Sequence, residues 1–179
     1  SRVHDGKIGT AFNYHPGGSV DRRTNIYYAQ TTDFGKTWTT IDGRPLQTPL
    51  DRRDNPALVV DYEARGRLAY VTKLLFDEQG RPVVLAVTSG GFDAGPKNDP
   101  RTWEITHWTG KEWVTRPVTT SDHNYDMGSL YLDGNRWSII GPTLTGPQPY
   151  YTGGEVVLWV STDRGANWRL ERNVTQNSP

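Results

Sequence analysis

Cysteine is absent from the 179 residues and methionine occurs once. That removes disulfides, thiolate nucleophiles and cysteine-ligated metals together. An excess of either charge is also missing: 20 basic residues face 20 acidic ones, for a formal net charge of zero. No global field therefore draws nucleic acid or an anionic membrane surface, and neither is expected as a partner. No apolar run approaches the ~20 residues of a membrane-spanning helix, and the start of the chain does not read as a signal peptide. Amphipathic helical stretches are lacking too. No ligand-spacing motif calls for a metal, and no cofactor is expected.

What the chain has is turns and aromatics. With 19 Gly, 12 Pro, 7 Trp and 9 Tyr, the composition favours many short strands joined by sharp turns. One stretch organises the rest because it occurs twice. Thr31-Thr32-Asp33-Phe34-Gly35-Lys36-Thr37-Trp38 matches Ser161-Thr162-Asp163-Arg164-Gly165-Ala166-Asn167-Trp168 in the pattern hydroxyl-x-Asp-x-Gly-x-x-Trp. The Asp can accept backbone N–H groups and lock the turn. The Gly can take a positive φ, and the Trp leaves on the next strand with a large face to bury.

Weaker hairpin turns lie between these copies: Asp5-Gly6, Asp77-Glu78-Gln79-Gly80 and Asp133-Gly134-Asn135. Each pairs with a motif-type turn roughly 30 residues on, the middle partner being Thr109-Gly110 between Trp108 and Trp113, a degenerate copy. The spacing predicts three repeats, each a four-stranded antiparallel meander. Repeat one holds strands at 8–14, 25–31 and 38–41, with its first strand nearly all missing. Repeat two holds 68–76, 82–88, 102–108 and 112–118; repeat three holds 128–132, 136–141, 155–161 and 168–171. The segment 57–62 reads as an extra strand in a long connection. Blade boundaries follow at 1–45, 67–120 and 121–179, with 46–66 as connection. The fold class is all-β: a partial β-propeller built from four-stranded blades. Nearly three blades cannot close a ring. The chain is therefore expected to be a fragment that assembles with missing blades of the same chain or a partner copy.

In such a meander the short hairpins share one end, and the long loops share the other. The long loops are residues 13–23, 44–55, 90–101, 121–126 and 146–155. One topological argument thus gathers two His, several Tyr and most clustered Arg on a single rim, where loops held by a rigid scaffold carry function.

The paired motifs are those of Asp boxes, and the chain resembles the BNR-repeat-containing, sialidase-like propeller family. Beyond the boxes, the resemblance is carried by Phe12-Asn13-Tyr14-His15-Pro16, residues 25–31, His123-Asn124-Tyr125-Asp126-Met127-Gly128-Ser129-Leu130 and Gly153-Gly154-Glu155. It implies a seven-bladed propeller of which this chain is part. It also implies kinship with secreted bacterial polysaccharide-degrading proteins such as ulvan lyases, some relatives having no established activity. No Arg-Ile-Pro occurs, which weighs against a sialidase.

A lyase acting on a uronic acid must remove the proton beside a carboxylate and expel the 4-linked oxygen. It needs a base, an acid, and a group to hold the carboxylate as charge builds. His15 or His123 fits the base, and Tyr125 or Tyr14 the acid. Arg22 or Arg23 fits the carboxylate partner, with Asn13 and Asn124 orienting it. Tyr150 and Tyr151 offer stacking faces for a sugar, and Glu155 is a further acid/base candidate. Against each stands a bland alternative: a loop histidine bonded to backbone, an Asx turn at 122–126, solvated arginines, tyrosines packing their own loop. His107 and His4 read as structural, as do the Asp, Gly and Trp of both motifs. The expected function is a polysaccharide lyase or glycosidase acting on uronate-containing glycans, secreted or periplasmic. The competing expectation is a non-catalytic glycan-binding propeller with the same rim.

Overall fold

The computed structural model describes residues 1–123, 127–151 and 153–178. Among them, short strands follow the turn spacing into three antiparallel sheets, one after another along the chain. The first sheet takes β1 (Arg2–His4), β2 (Lys7–Tyr14), β3 (Thr24–Thr31), β4 (Trp38–Thr39), β5 (Pro45–Leu46) and β6 (Leu58–Val60). The second is four-stranded: β7 (Leu68–Phe76), β8 (Pro82–Ser89), β9 (Arg101–Trp108) and β10 (Trp113–Ser121). The third is also four-stranded: β11 (Ser129–Asp133), β12 (Arg136–Leu144), β13 (Glu155–Ser161) and β14 (Arg169–Asn173).

The two later sheets run in chain order, each strand paired with its predecessor. The first differs. Its β3 pairs with β4 at Gln30↔Thr39, and nearer its start with β6 at Ile26↔Val60 and Tyr27↔Leu58. The segment 46–66, read from sequence as a connection with an extra strand, thus supplies half of the outer neighbour of β3. Backbone groups of β3 that the two-residue β4 leaves unpaired are satisfied there.

The repeated motif locks its turns with one hydrogen-bond network, drawn twice. Thr31 Oγ1 donates to Asp33 Oδ1 at 2.7 Å and accepts the Gly35 N–H at 3.0 Å. Ser161 Oγ does the same toward Asp163 and Gly165, at 2.7 and 2.8 Å. Asp33 Oδ1 accepts Thr37 N–H and Asp163 Oδ1 accepts Asn167 N–H, both at 2.9 Å. The glycines sit at φ 88° and 82°, and the residues before them, Phe34 and Arg164, are left-handed as well at 60° and 56°. In the middle turn a hydroxyl stands in for the carboxylate: Thr109 Oγ1 accepts the Glu112 N–H at 3.1 Å.

Alternation along the strands sets the packing. Between the first and second sheets lie Ile26, Tyr28, Val60, Tyr62, Ala69, Leu74, Val84 and Ala86. Between the second and third lie Val83, Leu85, Val87, Trp103, Ile105, Leu130, Trp137 and Ile139. Trp103 is fully buried and donates its indole N–H to Ser121 Oγ at 2.9 Å. Its ring slots against the third sheet where Gly141 has no side chain; a Cβ there would lie 2.7 Å from the indole.

The short turns are stitched to one another across sheets. Lys7 Nζ donates to Gly80 O at 2.7 Å, Gly134 N to Glu78 Oε1 at 3.1 Å, and Arg164 Nη1 to Gln79 Oε1 at 3.2 Å. The opposite ends carry the longer loops, and these touch across sheets too: Tyr70 donates its hydroxyl to Asp21 O at 2.6 Å. The predicted division into a turn end and a loop end therefore appears directly in the contacts.

Candidate functional site

At the loop end the chain leaves β10 at Ser121 and enters the third sheet at Ser129, and this crossing positions the most chemically poised pair. Ser121 Oγ donates to the His123 carbonyl at 3.2 Å, holding the backbone. Asp122 Oδ1 and His123 Nδ1 lie 2.5 Å apart. The second Asp122 oxygen accepts the Tyr150 N–H at 3.0 Å, from the loop joining β12 and β13. A carboxylate on Nδ1 fixes the neutral imidazole as its Nδ1–H tautomer and puts the lone pair on Nε2. That is the form a general base requires. The residue is 4% exposed, so it sits within the loop packing.

Arg101 stands beside this pair, and the sequence reading passed over it. It opens β9, and period two places it on the same face as Trp103 and Ile105; all three are fully buried. Its Nη2 donates to Asp93 O at 2.8 Å, and Nη1 to Gly95 O at 3.2 Å and to the Asp99 carboxylate. The Tyr150 ring lies over the guanidinium with its centroid 5.8 Å from Cζ. A sequence signal does exist: an arginine in phase with two apolar strand residues marks a buried cation.

His15 opens the short turn Pro16–Gly18 at the loop end, where its carbonyl accepts the Gly18 N–H at 2.9 Å. No hydrogen bond or ion pair joins it to His123 among the described residues. Asn13 is engaged with backbone: Nδ2 donates to Asn25 O at 2.6 Å and Oδ1 accepts the Val71 N–H at 3.2 Å. Tyr14 packs with Phe12, Tyr27 and Trp38 on the face of the first sheet turned from the second. Arg23 donates Nε to Val20 O at 2.8 Å and lies over the Tyr70 ring, whereas Arg22 is exposed. Tyr151 is 67% exposed. Asn124 and Tyr125 lie outside the described residues.

Glu155 is occupied elsewhere. Its carboxylate accepts Thr175 Oγ1 at 2.5 Å, Ser178 N–H at 2.6 Å and Ser178 Oγ at 3.1 Å. The Thr175 hydroxyl and the Ser178 N–H hold its pKa below the usual range, which makes it a poorer proton donor. A cavity of 640 Å³ opens along residues 45–56, lined by Gln47, Leu50, Asp51, Arg52 and Asp54 among others; the Asp122–His123 pair does not line it. Among the described residues no three His, Asp or Glu side chains gather to hold a metal.

Three solved polysaccharide lyases share the fold. A PL25 ulvan lyase superposes with a TM-score of 0.72 at 19% identity, over 98% of this chain and 41% of its own. An ulvan lyase structure bound to a saccharide of glucuronic acid linked (1-4) to 3-sulfated rhamnose gives 0.72 at 20% identity, over the same shares. A third polysaccharide lyase gives 0.63 at 18% identity, over 97% of this chain and 36% of its own. The chain thus spans about two fifths of the length of the structures it matches. No curated protein sequence matches it. The model of the BNR repeat-containing family matches residues 1–121, about two thirds of the sequence. The chain belongs to the BNR repeat-containing family.

Proposed function

We propose that the chain is part of a carbohydrate-active β-propeller, its three sheets being successive blades of a seven-bladed ring and its two repeated turns Asp boxes. The activity is that of a polysaccharide lyase or glycosidase on uronate-containing glycans, in a secreted or periplasmic protein. One observation carries it: a histidine whose Nδ1 lies 2.5 Å from a carboxylate, a contact that favours the base-competent tautomer, at the loop end of a fold shared with polysaccharide lyases. In this reading His123 takes the proton beside the uronate carboxylate, with Asp122 orienting the ring and stabilising the imidazolium that forms. Tyr125 protonates the departing 4-linked oxygen as the unsaturated uronate is released. Of the two adjacent arginines Arg22 is the one left exposed to meet the substrate carboxylate, since Arg23 is engaged with Val20 and Tyr70. Tyr151 offers an exposed ring to a sugar face.

A second reading is favoured by a different observation. His123 is 4% exposed while Arg22 and Tyr151 face solvent, an arrangement suited to holding a glycan without turning it over.

The test uses the full protein with a panel of uronate-rich polysaccharides, following the ultraviolet absorbance of unsaturated uronates alongside reducing ends. A lyase gives both signals, and His123→Ala abolishes them. Reducing ends without absorbance mean a hydrolase. Saturable binding with neither signal leaves the binding module.

A further inference from the structure

Arg101 is a cation buried in full, and its Nε finds no acceptor among the described residues. An apolar side chain of the same size is usually tolerated as well or better at such a place when only packing is at stake. Its donors converge on one short loop, through Asp93 O, Gly95 O and the Asp99 carboxylate. Across the gap between sheets, Tyr150 lays its ring on the same guanidinium. Tyr150 is itself in the left-handed region, at φ 66°, a conformation a bulky residue holds only when its surroundings insist. Two contacts do so: the ring on Arg101, and the N–H on Asp122 Oδ2 at 3.0 Å. The other oxygen of that carboxylate meets His123 Nδ1. Four residues, from the start of β9 and two loops, thus form one connected path.

We propose that Arg101 is a positioning residue for the Asp122–His123 pair, acting through Tyr150. The guanidinium fixes the ring, the ring fixes the strained backbone N–H, and that N–H fixes which way the Asp122 carboxylate faces the imidazole. The role rests on reading this pair as the site, but its test does not require turnover.

The experiment is a nitrogen NMR measurement of the His123 imidazole in the full protein, assigned with a His123→Gln variant. Two substitutions break the path at different links. Arg101→Met keeps the bulk and removes the charge. Tyr150→Gly keeps the N–H, suits the positive φ and removes only the ring. In the unaltered protein His123 carries its proton on Nδ1. In both variants the share of the Nδ1–H tautomer falls measurably, while the His107 signals stay where they were. Arg101→Lys restores the pattern in part. His123 signals unchanged in either folded variant overturn the proposal; should Arg101→Met fail to fold, Tyr150→Gly decides alone. If the glycan assays detect turnover, both variants lower kcat by roughly 10–100-fold with KM within about twofold. If they detect none, the tautomer measurement still decides the positioning role.

Discussion

Asp33 and Asp163 do the same work in turns 130 residues apart in the chain. Each carboxylate is held down to a pKa of about 2, by the Thr37 backbone and hydroxyl in one turn and by the Asn167 amide and backbone in the other. A carboxyl depressed on folding stabilises the fold above its unfolded pKa and stops doing so as pH falls through the folded value. Stability should therefore drop between about pH 4 and pH 2. Asp33→Asn and Asp163→Asn should be less stable near neutrality and flatter across that window, read from urea midpoints. An unchanged slope in both would sink the assignment. The matching glycines are not equivalent, however. Both have positive φ, but a Cβ on Gly165 would sit 2.8 Å from the Trp137 ring, while one on Gly35 meets nothing nearer than 3.7 Å. Gly35→Ala should cost about 1 kcal/mol from backbone strain, and Gly165→Ala roughly 1–3 kcal/mol more from overpacking. Equal losses in denaturant titrations would remove Trp137 from the explanation.

Strands and turns are largely legible in the amino-acid sequence, because period two and Asp-Gly punctuation are local signals. The predicted bounds of β7 and β13 coincide with those observed, and most others differ by a residue or two. The exceptions are informative. β12 runs on to Leu144 through a register shift at Pro142, which no local pattern announces. β6 joins the first sheet because β3 needs a partner there, a demand visible only once β4 proves short. The candidate site is legible in part. Topology puts His123 and Tyr150 at one end, but contacts between loops depend on the sheets' relative placement. The phase of Arg101 with Trp103 and Ile105 marks it as buried, but its stacking with Tyr150 is a property of the second and third sheets together. That junction can be tested at Trp103, whose ring and N–H are both engaged there. Trp103→Ala should lose about 3–5 kcal/mol in urea unfolding. A loss below ~1 kcal/mol would mean the two sheets do not depend on this wedge.

Taken whole, the molecule covers the second sheet on both faces, buries β3 of the first on both faces as well, and leaves the third sheet half dressed. Register places Tyr131 and Ile140 on the face of the third sheet turned from the core, with Ser138 and Leu158 beside them. Tyr131 is 55% and Ile140 37% exposed. Exposed apolar groups of this kind favour association. In the 179-residue chain, Tyr131→Lys with Ile140→Lys should lower self-association in sedimentation without shifting the urea midpoint by more than ~0.5 kcal/mol. Unaltered sedimentation would show that this face is not what makes copies adhere.

The stitched turns have a further consequence for how such a protein can be altered. Lys7, Glu78 and Arg164 bind neighbouring turns at one end of the sheets, so the scaffold is braced where no candidate ligand group lies. The opposite loops hang from that brace like exchangeable tools on a common handle. A designer wanting to change the loop end would transplant segments 90–101 and 145–154 together, since Arg101 and Tyr150 tie them into one cassette, and would leave the handle alone.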